Sequence, residues 1–184
     1  EGTVIIAESQ SSGRGRLGRE RKTPPGQAIV LSVVLYPLIS PTQVPLLSLA
    51  TGIAVRNAVE SVAGGDASPV VKWPNDVYLN GKKLAGILVE MSAELDRVNW
   101  VIDSIGINVN NTFGEEALAK KATSLATELG REFSRRELAA AVLNELDEVY
   151  SRSRTQACLE AIRSDFEKLD MLQGQRIEVT TPSG

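Results

Sequence analysis

Two periodicities divide the chain. Thr3–Glu8 and Ala28–Leu35 are rich in valine and isoleucine and are bounded by glycine, proline and charge, which predicts two buried strands. From Thr42 to Ala63 the positions Val44, Leu47, Ala54, Ala58 and Val62 fall at helical spacing, with Pro45 suited to a first turn and Gly64-Gly65 as a stop. Val70–Trp73, Leu84–Met91 and Val98–Val109 return to strand character, and Asn80-Gly81 predicts a tight turn ahead of the second of them. Farther on, Ser134-Arg135-Arg136-Glu137 has the form of a capping box before Leu138, Val142, Leu146 and Val149. Leu159, Ile162, Phe166 and Leu169 continue a helical stripe, and both helices are expected to cover the sheet. Strands that mostly precede helices predict an α+β fold. After Gly174, Arg176–Thr180 alternates as one more strand, and the chain reads as a fragment that opens without a methionine and ends inside a further small unit.

Composition narrows the chemistry. The 184 residues are 42% hydrophobic, enough for one domain with a core, and no apolar run approaches the roughly 18 residues of a membrane span. Cys158 is the single cysteine and histidine is absent, which excludes a disulfide framework, histidine-based triads and the usual zinc sites and fits a reducing, cytoplasmic setting.

Charge changes the picture more. The formal net charge is -3, yet Gly13–Lys22 gathers Arg14, Arg16, Arg19, Arg21 and Lys22 among Gly13, Gly15 and Gly18. Such a segment can line an anion with backbone N–H groups while guanidinium forks close over it. Gly13-x-Gly15-x-x-Gly18 also matches a dinucleotide fingerprint. That motif needs a helix at its third glycine and an acidic residue about twenty positions on, whereas Pro24-Pro25 oppose a helix and no Asp or Glu occurs from Arg21 to Val59. RNA binding through backbone charge is disfavoured by the acidic chain and the lack of interleaved aromatic rings. A solvated basic loop is the plain alternative.

Lys72-Trp73-Pro74-Asn75-Asp76 ends a predicted strand with two short polar side chains after a proline, either a presented polar pair or a strand end closed by an Asx turn. Eleven residues after Lys72, Lys83 enters the apolar run Leu84-Ala85-Gly86-Ile87-Leu88-Val89, where Gly86 lets a ligand approach the backbone. A solvated edge-strand lysine is the competing reading.

Four blocks in order, Gln10-x-x-Gly-Arg-Gly-Arg16, Lys72–Asp76, Lys83-Leu-Ala-Gly-Ile-Leu-Val-Glu90 and Gly106-Ile-Asn-Val-Asn110, closely resemble biotin protein ligases, the biotin-[acetyl-CoA-carboxylase] ligase family. The similarity extends over nearly the whole chain. It implies a mixed β-sheet with flanking helices, of the kind shared with lipoate ligases and class II aminoacyl-tRNA synthetases. It also implies a catalytic domain over 1–170, lacking its N-terminal part, and the truncated start of an SH3-like β-barrel over 171–184. The implied activity has two steps: the carboxylate of biotin attacks the α-phosphate of Mg2+-bound ATP to give biotinyl-5'-AMP and pyrophosphate, and a lysine of a biotin carboxyl carrier protein or domain then takes the biotinyl group.

Both reactants of the first step are anionic, so alignment and charge neutralisation do the catalytic work, and cations such as Arg14, Arg16 and Lys83 can supply it. Matched positions imply that Gln10, Arg14, Gly15 and Arg16 meet biotin and the phosphates. They imply that Lys83 bridges the biotin carboxyl and α-phosphate, and that Gly86 and Ile87 lie against the biotin rings. Arg14, Arg19, Asn75, Asp76 and Asn108 are implied on the nucleotide side. Asp76 either orients the phosphate-bound magnesium or helps deprotonate the incoming lysine. The resemblance further implies a homodimer, and DNA binding only through an N-terminal domain outside this chain.

The chain departs from the family pattern at three places. Arg21 stands near where a tryptophan is usual, Asp103-Ser104 replaces an apolar residue and glycine, and the upstream Ser-Thr-Asn segment is not present. Lipoate ligation by the same adenylation chemistry, and a repressor role, are the alternatives.

Overall fold

The computed structural model describes residues 1–15, 20–153 and 156–178, with the side chains of 14, 20–22, 153 and 156–160 left aside. Eight strands are present among them: β1 (Thr3–Ala7), β2 (Gln10–Arg14), β3 (Glu20–Thr23), β4 (Ala28–Leu35), β5 (Val70–Lys72), β6 (Asp76–Leu79), β7 (Lys82–Glu94) and β8 (Arg97–Asn108). The helices are α1 (Pro45–Ala63), α2 (Glu116–Ala119), α3 (Leu125–Leu129), α4 (Arg135–Ser153) and α5 (Gln156–Leu169).

Six strands form one sheet in the order β1-β4-β8-β7-β6-β5, and β2 pairs with β3 in a separate hairpin. The α+β class holds. The expected mixed sheet is corrected: every named pairing is antiparallel, with parallel contacts confined to two isolated bridges, Val71 to Asp170 and Lys83 to Ala122. Short connections are the reason, since β5, β6, β7 and β8 follow one another through turns that only an antiparallel neighbour can use. Asn80 and Gly81 both take positive φ, 50° and 77°, as the predicted tight turn between β6 and β7 requires.

Helix α1 begins at Pro45 and stops at Gly64, whose φ of 69° supplies the left-handed cap. It is buried almost all round because it lies between layers, against β5, β6 and β7 on one side and α4 and α5 on the other. The expected placement of α4 and α5 is corrected accordingly. Leu138, Val142, Leu146 and Val149 of α4 are all buried, but they pack chiefly on α1, with a smaller contact between α4 and β4 of the sheet. Ser134 Oγ accepts the Glu137 N–H at 3.3 Å and caps α4 at the residue the capping signature marks.

Two further expectations meet a different structure where the residues are described. β1 is an edge strand, paired with β4 alone, and Ile5 and Ile6 stay 61% and 58% exposed where a buried strand was predicted. Residues 176–178 form no strand, and the remainder of that run lies outside the described residues.

The helix-facing side of the sheet carries one misfit. Asp103 of β8 sits fully buried between Val33 of β4 and Val89 of β7. Thr51 of α1 donates to its Oδ2 at 2.5 Å, and Oδ1 has no hydrogen-bond partner among the described residues. Burial pushes the Asp103 pKa up from 3.8 to about 7, with the Thr51 hydrogen bond pulling the other way. The folded state therefore holds a proton that the unfolded chain releases across this window, so the contribution of Asp103 to stability falls as pH rises from about 4 to about 7 and stays low above it. Asp103→Val should remove that slope. Urea titrations of both proteins from pH 4 to pH 8 are expected to show the variant gaining relative to wild type as pH rises, by on the order of 3 kcal/mol at the alkaline end. Parallel pH profiles would contradict it.

Candidate active site

The functional side chains are set by an irregularity in β7. Between β6 and β7 the register runs Val77 to Ala85 and then Tyr78 to Lys83, so Leu84 is an extra residue on the β7 side. Strict alternation from Ala85 and Ile87, both buried toward the helices, would send Lys83 to that side too. The bulge reverses its parity and brings the lysine onto the opposite, open face with Gly86. Leu84, the inserted residue, is wholly buried.

Gly86 makes room for it. A Cβ added at Gly86 would stand 3.1 Å from both Cε and Nζ of Lys83 and 3.5 Å from Oδ1 of Asp76. The missing side chain is therefore the space the lysine tip occupies. Lys83 Nζ donates to Asp76 Oδ1 at 2.5 Å, with the two side chains 42% and 19% exposed, so the pair is shielded on the carboxylate side and open on the ammonium side. Asp76 opens β6, opposite Lys72 of β5 and Gly86 of β7, directly after the Trp73-Pro74-Asn75 turn.

The main chain around this pair is pinned from two directions. Asn75 acts as a clamp on Ile87: its carbonyl accepts the Ile87 N–H at 2.9 Å and its side-chain amide donates to the Ile87 carbonyl at 2.6 Å. Residues 121–123 run beside Lys83 and bond both of its backbone groups, the Lys83 N–H to the Lys121 carbonyl at 3.0 Å and the Thr123 N–H to the Lys83 carbonyl at 2.9 Å. The Thr123 carbonyl in turn accepts the Asn108 amide at 3.0 Å, joining the end of β8 to the same cluster. Glu128 of α3 ties this support to the β6–β7 turn by accepting from Thr123 Oγ1 at 2.5 Å and from Asn80 Nδ2 at 2.7 Å. Burial raises the Glu128 pKa, but those two hydrogen bonds and the Lys82 charge outweigh it and hold the carboxyl below its ordinary range.

The open face around Lys83 has a flat floor. Gly86 of β7 is paired with Gly106 of β8, and Gly106 with Val30 of β4, so two adjacent strands present no side chain beside the ammonium. The structure thus gathers Lys83, Asp76, Asn75, Gly86 and Ile87, with Asn108 connected through Thr123. Gln10 and Arg14 belong to the separate β2–β3 hairpin, where the backbone of Arg14 is in register with that of Glu20, and Gly15 follows it. The expected arginine loop is in its described part this hairpin, and β3 stands where a dinucleotide fold would open its helix. Arg16 and Arg19 lie outside the described residues. Segment 121–123 was not singled out from the sequence, although Ser124, which accepts the Thr127 N–H at 3.2 Å, is a helix N-cap signal just after it. Among the described residues there is no cluster of three or more His, Cys, Asp or Glu side chains able to hold a metal, and no helix long and apolar enough to cross a membrane.

Comparisons with known proteins agree on the family and the fold. The sequence model described as the Biotin/lipoate A/B protein ligase family matches residues 1–110. The bifunctional ligase/repressor BirA of Bacillus subtilis is 44% identical over 138 residues, covering 73% of this chain and 42% of that protein. The biotin–[acetyl-CoA-carboxylase] ligase of Mycobacterium tuberculosis is 34% identical over 186 residues, covering 100% of this chain and 66% of that one. The chain thus spans between about two fifths and two thirds of these relatives. Among solved structures, the biotin protein ligase of Aquifex aeolicus in complex with biotin and ATP superposes with a TM-score of 0.79 at 30% identity, covering 92% of this chain and 69% of that one. The Leishmania major biotin protein ligase in complex with biotinyl-5-AMP gives 0.76 at 26% identity, covering 100% and 76%. With the family sequence model matching well over half of the chain, and a fold shared with biotin ligases, this chain belongs to the biotin/lipoate A/B protein ligase family.

Proposed function

We propose that this chain carries the adenylating and transfer centre of a biotin protein ligase. The carrying observation is the Lys83–Asp76 pair over a glycine floor, in a fold whose solved relatives bind biotin with ATP and biotinyl-5-AMP. In the first step a carboxylate oxygen of biotin bonds to the α-phosphorus of ATP, the bond from that phosphorus to the bridging oxygen breaks, and pyrophosphate leaves. In the second, the ε-amine of an acceptor lysine on a biotin carboxyl carrier domain bonds to the acyl carbon, AMP leaves with the bonding pair, and the amine loses a proton.

Neither step needs a protein nucleophile. Both gather negative charge on oxygens that Lys83 can neutralise, and a preorganised cation is worth most where its position is already fixed. Asp76 fixes it here, and in the second step it can take up the proton of the incoming amine. Gly86 and Ile87 would meet the biotin rings through backbone and floor, while Asn75 and Asn108 stand on the nucleotide side. Gln10, Arg14, Gly15, Arg16 and Arg19 are read as closing over the phosphates and the adenylate, with magnesium brought in by the ATP phosphates. The reading extends to a homodimeric cytoplasmic enzyme, the dimer carried over from the family resemblance and the compartment in keeping with the lone cysteine. The unit boundary near residue 170 is retained in this reading.

Lys83→Ala should leave folding intact and lower biotin-dependent ATP–pyrophosphate exchange by about a hundredfold or more, because it removes the principal cation. Wild-type exchange in that variant would remove Lys83 from the chemistry. Gly86→Ala should act through position alone. Its Cβ forces the Lys83 tip to yield by a few tenths of an ångström, so the urea midpoint should barely move while turnover falls roughly tenfold. An unchanged turnover would show that the lysine tip tolerates displacement.

A further inference from the structure

Glu128 belongs to α3, outside the six-stranded sheet, yet its carboxylate joins the two stretches of chain that hold Lys83. Oε1 accepts from Thr123 Oγ1 at 2.5 Å, and Oε2 accepts from Asn80 Nδ2 at 2.7 Å. Thr123 is fully buried and its N–H binds the Lys83 carbonyl, while Asn80, at a φ of 50°, lies in the turn from which β7 departs. The base of α3 is firm: Leu125 is fully buried, and Ser124 caps the helix and donates to the Asn111 carbonyl at 2.7 Å. Burial alone would raise the Glu128 pKa, but both hydrogen bonds and the Lys82 charge hold it below its ordinary range, so the bridge is anionic at neutral pH.

We propose that Glu128 is a positioning residue for Lys83, setting the place of the ammonium over Gly86 through Thr123 and Asn80. The inference rests on the acyl-adenylation reading above and deepens it by naming what aligns the cation. The β6–β7 register shifts at Leu84, next to the lysine, so strand pairing alone holds this stretch less firmly than a regular ladder would. The Lys83 N–H donates to the Lys121 carbonyl and the Lys83 carbonyl accepts from the Thr123 N–H, so its backbone follows residues 121–123. Without Glu128 that segment loses its tie to the turn, and the buried Thr123 hydroxyl loses its acceptor. Clearance at the lysine tip is small, since a Cβ on Gly86 would stand 3.1 Å from Nζ. A cation aligned between two reacting oxygens tolerates displacements of only about 0.5 Å. A carboxylate serving the fold alone would alter stability and leave the chemistry of the folded enzyme unchanged.

The test is biotin-dependent ATP–pyrophosphate exchange by the full-length protein, measured for Glu128→Ala, Glu128→Gln and Asn80→Gly, with the first and third also made together with Lys83→Ala. Glu128→Ala should lower kcat about tenfold with the KM values for biotin and ATP unchanged. Glu128→Gln should restore most of it, because an amide accepts from Thr123 and donates to Asn80 once the Asn80 amide turns over. Asn80→Gly keeps the positive φ and deletes one arm of the bridge, so it should lower kcat about threefold, and it carries the test if Glu128→Ala does not fold. The double variants decide the route: they should be no slower than Lys83→Ala, since a residue that acts through the lysine then has nothing left to position. Urea unfolding of each variant confirms that the comparison is between folded proteins. An unchanged kcat in the folded single variants, or the same fold-loss repeated on the Lys83→Ala background, would overturn the assignment alone. Wild-type exchange in Lys83→Ala, or a wild type that forms no adenylate, would overturn the parent reading and this one with it.

Discussion

One extra residue in a strand governs the open face. Leu84 buys nothing for the sheet ladder, yet without it Lys83 would point into the apolar layer beneath, where an ammonium has no counterpart. With it, the lysine arrives on the face where Asp76 stands and where Gly86 has left a vacancy of the right size. A half-exposed ion pair contributes little to folding free energy, about 1 kcal/mol at most, so its geometry is maintained by the main-chain framework around it. That framework is the Asn75 clamp on Ile87 and the segment 121–123 that bonds both backbone groups of Lys83. The charge pair rides on neutral hydrogen bonds that do not depend on it.

The two faces of β8 show how local departures are accommodated. Asp103 and Ser104 are adjacent and point to opposite sides of the sheet. Each has acquired a hydroxyl partner on a neighbouring element, Thr51 on α1 for the acid and Ser32 on β4 for the serine. The matches differ in quality. The serines bond to each other, whereas Asp103 keeps an oxygen without a partner among the described residues and a pKa raised to about 7. A carboxyl that is largely protonated below that point can sit in an apolar layer at modest cost, and one that ionises above it cannot.

What could be read from the sequence was whatever local chemistry decides. Pro45 and Gly64 bracket α1, Asn80-Gly81 demands its turn, Ser134 caps α4, and runs of valine and isoleucine form β4, β7 and β8, because each depends on residues within one or two turns of chain. The misses all depend on distant partners. Exposure of β1 follows from its place at the edge of the sheet order. The position of α4 and α5 outside α1 follows from which apolar faces meet, and apolar spacing alone does not state the partner. At the site, Lys83, Asp76 and Gly86 could be named from their motifs. The parity reversal that brings them together could not, since a bulge exists only relative to the strand beside it. Asn75 was read as a nucleotide contact, and its amide is found holding the Ile87 carbonyl, a use that only the β6–β7 pairing reveals.

A lysine has an advantage over an arginine at this point. Its ammonium carries three donors on one nitrogen, free to turn about the terminal bond, while a guanidinium fixes its donors in a planar fork suited to a single carboxylate or phosphate face. With one donor engaged by Asp76, two remain, and acyl adenylation presents two anionic oxygens at once, one on the attacking carboxylate and one on the phosphorus it approaches. In the proposed reaction the same two donors would serve the second step, where charge builds on the acyl oxygen and on the departing phosphate. Because Asp76 is three-quarters or more shielded while Lys83 opens to the floor, the carboxylate anchors and the ammonium reaches. A reaction that moves negative charge between neighbouring oxygens twice, with no covalent enzyme intermediate, is served by a cation that can turn without travelling, and the bulge at Leu84 together with the vacancy at Gly86 provides one.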